Sequence, residues 1–128
     1  MRYHLDTTFL IDWRKSTPSI VNLRSEIIAG LHAVSIDPIV QTEFFAAPRI
    51  DRTYELVHGA VLSLGRMLAL TPEASRLAAS WLGLMDRPQR RARFADALIA
   101  AVAYLDDAVL LTSDSKMEGV FPISVRQY

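Results

Sequence analysis

A capping residue followed by proline occurs three times in this chain, at Thr17-Pro18, Asp37-Pro38 and Thr71-Pro72. Each reads as a helix start, because proline lacks an N–H and the first N–H of a helix has no partner within the helix anyway. Short apolar runs alternate with these starts. Residues 3–5 precede Asp6-Thr7-Thr8, whose oxygens can cap a helix that begins near Phe9. Residues 31–36 lead into Asp37-Pro38, and residues 67–70 lead into Thr71-Pro72. The helix opened by Pro18 runs to about Gly30, a residue suited to the left-handed conformation that ends helices. A longer helix starts near Arg52, and after a break at Arg87-Pro88 residues 91–105 are strongly helical. Residues 109–112 have the pattern of a buried strand, and 120–125 that of a weaker final one. Strands alternating with helices imply an α/β fold, with a central parallel sheet covered by helices on both faces. With no repeat and no linker, residues 1–128 read as one domain.

Hydrophobic residues make up 51% of the chain and charged residues 22%, which excludes disordered and collagen-like classes. The absence of cysteine excludes disulfides, thiolate metal sites and cysteine nucleophiles, and fits a reducing compartment. The longest apolar stretch, residues 97–105, is too short to span a bilayer, and Asp6 interrupts the N-terminus before a signal-peptide core could form. A soluble cytoplasmic protein without membrane partners is expected. Fourteen basic residues balance 14 acidic ones, so any affinity for nucleic acid must arise from a local site.

Four carboxylates stand where their chemistry needs explaining. Asp6 and Asp114 each follow a predicted strand, at the sheet edge where open α/β folds bind ligands. Each alone also reads as an ordinary turn or N-cap residue. Asp96 shares a helical stripe with Ile99, Ala100 and Ala103, where a carboxylate is costly to bury unless cations or donors meet it. An N-cap role would explain it only if the helix began at Ala97. Glu43 lies among Ile39, Val40, Ala46 and Ala47, and reads either as a site residue or as a rim glutamate with a packed stem. Four acids converging on one crevice would repel one another, and a hard divalent cation, Mg²⁺ or Mn²⁺, would relieve that repulsion. Such a cation activates water and stabilises phosphate charge, which is the chemistry of phosphodiester hydrolysis.

Asp6-Thr7-Thr8-Phe9-Leu10-Ile11-Asp12 resembles the opening motif of PIN domains, and Thr42-Glu43-Phe44-Phe45 resembles the segment carrying their second acid. Asp96-Ala97-Leu98-Ile99-Ala100-Ala101 resembles their third motif and Leu111-Thr112-Ser113-Asp114 their fourth. The resemblance runs in order along nearly the whole chain, whose length suits the VapC-type toxins of bacterial toxin–antitoxin pairs. It implies a metal-dependent endoribonuclease that acts on RNA, is inhibited by a cognate antitoxin and forms a homodimer. Carried over by position, Asp6 and Asp96 would be the principal ligands of Mg²⁺ or Mn²⁺. Glu43 and Asp114 would complete the acidic pocket, and Thr112 and Thr8 would support it through their hydroxyls. Two departures stand out: Thr8 occupies a place more usual for Asn or Ser, and Ser115-Lys116-Met117-Glu118 lacks the usual aromatic.

Arg87, Arg90, Arg91 and Arg93 place four positive charges within seven residues, just before Asp96. Guanidinium groups there can hold backbone phosphates, and arginines near a helix N-terminus oppose its dipole, which favours a use other than stability. Solvated loop arginines are the plain alternative. Trp13, Phe44, Phe45 and Trp81 read as core residues or as surfaces for bases or a partner helix. His4, His32 and His58 lack metal-ligand spacing and read as structural, while Asp12 and Asp51 read as solvated or capping residues. Two rival readings remain. One is a catalytically silent PIN-like module that binds RNA or a protein partner. The other is an aspartyl-phosphate phosphatase, disfavoured because Thr8 stands where that chemistry wants a second acid.

Overall fold

The computed structural model describes residues 1–128. Strands β1 (Arg2–Leu5), β2 (Ala33–Ile36), β3 (Arg66–Met67), β4 (Val109–Thr112) and β5 (Val125–Gln127) form one sheet, ordered β3-β2-β1-β4-β5. Every pairing is parallel; Tyr3 faces Val34 on one side and Val109 on the other. Tyr3, His4 and Leu5 are buried in succession, as are Val34, Ser35 and Ile36, and Leu110, Leu111 and Thr112. Successive residues of a strand point to opposite faces, so burial without alternation means that both faces of the sheet are covered. This is the α/β architecture anticipated from the alternation of strands and helices.

The helices are α1 (Thr7–Lys15), α2 (Val21–Ile28), α3 (Pro38–Phe45), α4 (Arg52–Leu64), α5 (Pro72–Leu82), α6 (Arg87–Ala92) and α7 (Phe94–Leu105). Asp37 caps α3 by accepting from the N–H groups of Ile39 and Val40, and Thr71 caps α5 by accepting from Ala74. The Thr17-Pro18 start behaves differently: a 3₁₀ turn over Pro18–Ile20 comes first, Thr17 makes no side-chain cap, and the α-helix begins at Val21. Gly30 closes that segment at φ +79°, as its position implied. The third strand is Arg66–Met67 and the last is Val125–Gln127, each displaced by a few residues from the apolar runs that announced them. Both lie at the sheet's margins, where half-exposed residues dilute the hydrophobic signal.

A larger difference concerns residues 87–105. Arg87-Pro88 does not break structure but starts α6, capped by Asp86, which accepts from the Gln89 N–H. The helical segment is then interrupted at Arg93 (φ −103°, ψ 8°), and α7 begins at Phe94. Asp96 therefore lies in the first turn of α7 and is not its N-cap. From Ala97 to Ala103 every residue of α7 is buried, and the run of alanines lets this helix approach its neighbours closely. A cluster of 27 buried residues links the sheet to its covering helices, and Trp13 and Phe44 belong to it. Phe45 and Trp81 are half-buried at its edge, so these aromatics pack and do not form an open stacking surface.

Candidate active site

In this strand order β1 has β2 on one side and β4 on the other, so the chain reverses direction across the sheet at the β1–β4 boundary. The crevice beyond the carboxyl ends of these two strands is the natural ligand position of such a sheet. Asp6 follows β1 directly, and Thr112 ends β4. Asp6 caps α1: one carboxylate oxygen accepts from the Thr7 N–H at 2.8 Å. The other accepts from the Thr112 hydroxyl at 2.6 Å. Since Thr112 gives its only proton to Asp6, Thr8 must donate in the 3.3 Å contact between the Thr8 and Thr112 hydroxyls. Thr8 accepts in turn from the Ser113 N–H at 3.1 Å, and Thr112 accepts from the Asp114 N–H at 3.0 Å. Thr8 thus serves as a polar brace for the loop after β4.

Glu43 reaches the same region from α3. It is exposed, and its carboxylate accepts from the Thr7 hydroxyl at 2.6 Å. The start of α3 is fixed from beneath by a fully buried network: His4 of β1 donates from Nε2 to Asp37 at 2.7 Å, while Nδ1 meets the Ser35 hydroxyl at 2.8 Å. His4 is therefore structural, and it ties β1 to the helix that carries Glu43. In the sequence Thr7 reads only as one of the capping oxygens beside Asp6. Its only sequence signal is its place next to Asp6, because its partner lies 36 residues away.

Asp96 enters from the first turn of α7, where the helix N-terminus favours a negative charge. Arg93 donates to it at 3.0 Å and also faces the Asp114 carboxylate at 3.8 Å. Asp114 is held in its loop by the Lys116 N–H, which donates to its Oδ1 at 2.9 Å. Met117, in the stretch lacking an aromatic, is buried and fills the space under this loop. Arg87, Arg90 and Arg91 are exposed on α6, with Arg90 donating to the Met85 carbonyl at 3.2 Å. Arg93 differs from them in turning inward onto the carboxylates.

Burial pushes the Asp6 carboxyl above its ordinary range. Hydrogen bonds from Thr112 and Thr7 pull the other way, and the charges of Asp96 and Glu43 raise it further. Burial likewise raises Asp96, against the Arg93 hydrogen bond and charge, and Asp114 adds to the rise. Asp6 is thus nearly buried, ionisable, beside two acids and without a cationic partner. In type and charge the group fits a hard divalent cation: all donors are oxygens, and a surplus of negative charge needs compensation. In spacing it is not an assembled cage, for no three acidic or histidine side chains stand close enough to enclose an ion. Asp6 has Asp96 and Glu43 close enough for their charges to act on it, and Asp96 has Asp114.

The remaining titratable candidates have local roles. His32 pairs with Glu26 at 3.0 Å, and His58 with Gln41 at 2.7 Å. Asp51 caps α4 through the Thr53 N–H, and Asp12 accepts from the hydroxyls of Thr17 and Tyr128. No helix is long and apolar enough to cross a membrane.

Residues 3–120 match the family described as PIN domain. No curated protein sequence matches the chain. Among solved structures, it is similar to DNA-bound VapBC from Salmonella typhimurium, with a TM-score of 0.77 and 19% identity over 99% of this chain and 98% of that one. It is also similar to VapBC2 from Rickettsia felis bound to a promoter DNA fragment (TM-score 0.72, 17% identity, 99% and 98% covered). FitAcB from Neisseria gonorrhoeae gives a TM-score of 0.61 at 18% identity, covering 96% of this chain and 95% of that one. At these identities the likeness is one of fold.

Proposed function

Because this chain belongs to the PIN-domain family, we propose that it is a metal-dependent endoribonuclease of the VapC type, hydrolysing phosphodiester bonds of RNA. The observation that carries this reading is the buried, unpaired carboxylate of Asp6 at the β1–β4 boundary, beside Asp96 and Glu43. Asp6, Asp96, Asp114 and Glu43 would hold Mg²⁺ or Mn²⁺. When bound, the ion supplies an activated water and neutralises charge on the phosphate under attack. The protein's own groups do the positioning. Thr112 and the Thr7 N–H fix both oxygens of Asp6, the Thr7 hydroxyl aims Glu43, and the Lys116 N–H engages one oxygen of Asp114 while the other faces Arg93. The exposed arginines of α6 precede Asp96 closely in the chain and can take the anionic backbone of an RNA strand although the chain as a whole is neutral. From the resemblance of its motifs to VapC-type toxins we further propose a cognate antitoxin as inhibitor and a homodimer as working form; the VapBC structures of similar fold support an antitoxin partner.

The test is cleavage of a mixed RNA pool in Mn²⁺ by the wild type and by Asp96→Asn. Cleavage that chelation stops and Asp96→Asn abolishes, with circular dichroism unchanged, is the expected result; equal cleavage by both proteins refutes the site. A second reading is favoured by the lack of a ready-made cage: a PIN module that binds RNA or a protein partner without cutting it. RNA retention without cleavage under any divalent ion would establish that reading instead.

A further inference from the structure

Arg93 sits where a cation is wanted. Its guanidinium donates to Asp96 at 3.0 Å and faces Asp114 at 3.8 Å, so one positive charge bridges two of the four acids. The other terminal nitrogen donates to the Lys116 carbonyl at 3.4 Å, and the nitrogen on Asp96 also meets the Met117 sulfur at 3.6 Å. Its side chain is only 21% exposed, unlike those of the open arginines of α6. Arg93 stands between two helices, as the C-cap of α6, where a cation suits the dipole, and before the first turn of α7, where it opposes it. Asp6, one neighbour away, has no such partner. The acids are therefore divided between a set compensated from within the chain and one that is not.

We propose that Arg93 is an internal counter-cation that competes with the divalent ion for Asp96 and Asp114, and so sets the metal affinity of the site. This rests on the metal-dependent reading above. The guanidinium supplies one positive charge to Asp96 and Asp114, while Asp6 has no cation beside it. Arg93 holds Asp96 through Oδ2, so a metal ion that takes this oxygen must displace the guanidinium, and one that takes Oδ1 must bind against its positive charge. The displaced side chain has somewhere to go, since a recess of about 410 Å³ lined by Met85, Gln89, Ala92 and Val120 lies on its other flank. The cost of displacing that guanidinium, or of binding against its charge, weakens every metal-binding equilibrium the protein takes part in. A tightly held arginine thus keeps the site weak until the ion is abundant or a phosphate arrives to take the released guanidinium.

The test is calorimetric titration with MnCl₂ alone, without RNA, of the wild type, Arg93→Gln, Arg93→Lys and Asp6→Asn. Losing a charged hydrogen-bond competitor predicts that Arg93→Gln binds Mn²⁺ about tenfold more tightly than the wild type. Arg93→Lys keeps the charge but loses the planar fork, and falls between them, about threefold tighter. Arg93→Gln also melts at a lower temperature without metal and gains more from saturating Mn²⁺ than the wild type does. Should Arg93→Gln not fold, the lysine variant decides alone. Wild-type binding that Asp6→Asn weakens, with both Arg93 variants binding no more tightly, overturns this inference and leaves the metal site standing. No Mn²⁺ binding by wild type or variants overturns both.

Discussion

Replacing Asp6 with asparagine should stabilise the metal-free protein, although it destroys the proposed site. Asp6 is 6% exposed and has two donors but no cation, while Asp96 and Glu43 add negative charge nearby. Its folded pKa lies above that of the unfolded chain, so the folded state binds the proton more tightly. The stability associated with that proton is fully present below the ordinary carboxylate range and is lost as pH rises through the raised folded value. At neutral pH the folded protein carries the cost of a buried, uncompensated charge. Asparagine mimics the protonated carboxyl at every pH. Its oxygen can keep the Thr7 N–H and the capping role, and its NH₂ can donate to Thr112, whose proton then turns to Thr8. The two hydrogen bonds to the carboxylate already offset part of the penalty, which leaves a gain of about 1 kcal/mol. For a domain of this size that is about 4 °C in Tm. Thermal melts in EDTA should show this gain at pH 7 and its disappearance as the buffer is taken down to pH 3. With saturating Mn²⁺ the order should reverse, because only the wild type is stabilised by ligand. An Asp6→Asn protein less stable than wild type in EDTA at pH 7, or a difference that ignores pH, would refute the charge-excess argument.

Three further outcomes follow from the packing around the site. A Cβ on Gly65 would lie 2.3 Å from the Val34 carbonyl oxygen in the adjacent central strand, so Gly65→Ala should lose about 2 kcal/mol in urea melts. His4→Leu removes the only side-chain partner of the buried Asp37 carboxylate and should cost about 3 kcal/mol by the same measurement, with RNA cleavage falling as α3 and Glu43 lose their anchor. Thr112→Val deletes the hydroxyl shared by Asp6 and the Asp114 N–H; Mn²⁺ affinity should fall about tenfold by calorimetry, while the fold is retained by circular dichroism.

Much of this arrangement is legible in the linear chain. Asp6 and Asp114 follow recognisable strands, and Asp96 interrupts an apolar helical stripe, so burial and edge position could both be anticipated. Capping prolines announced α3 and α5 because that signal is local and depends on backbone chemistry alone. The Thr17-Pro18 pair shows its limit: proline fixes one φ but does not decide between a 3₁₀ turn and an α-helix. Residues 91–95 have good helix propensity, and propensity cannot see that Arg93 leaves the helix to bind Asp96 and the loop after β4. That choice is partly tertiary, since Arg93 also reaches Asp114 and Lys116 in the loop after β4. Likewise, Thr7 and Glu43 meet only because the β1–β2 register brings α1 and α3 together. Met117 could not be placed from sequence either, since a flexible thioether fills a gap whose shape is set by its neighbours.

The central claim is that the acids around Asp6 form one cation site. Calorimetric titration of MnCl₂ into the wild type, Asp6→Asn and Asp96→Asn tests it without any choice of RNA. One site in the wild type, weakened by both substitutions while circular dichroism is unchanged, is the predicted result. Wild-type binding that neither substitution disturbs, or no binding at all, would contradict it.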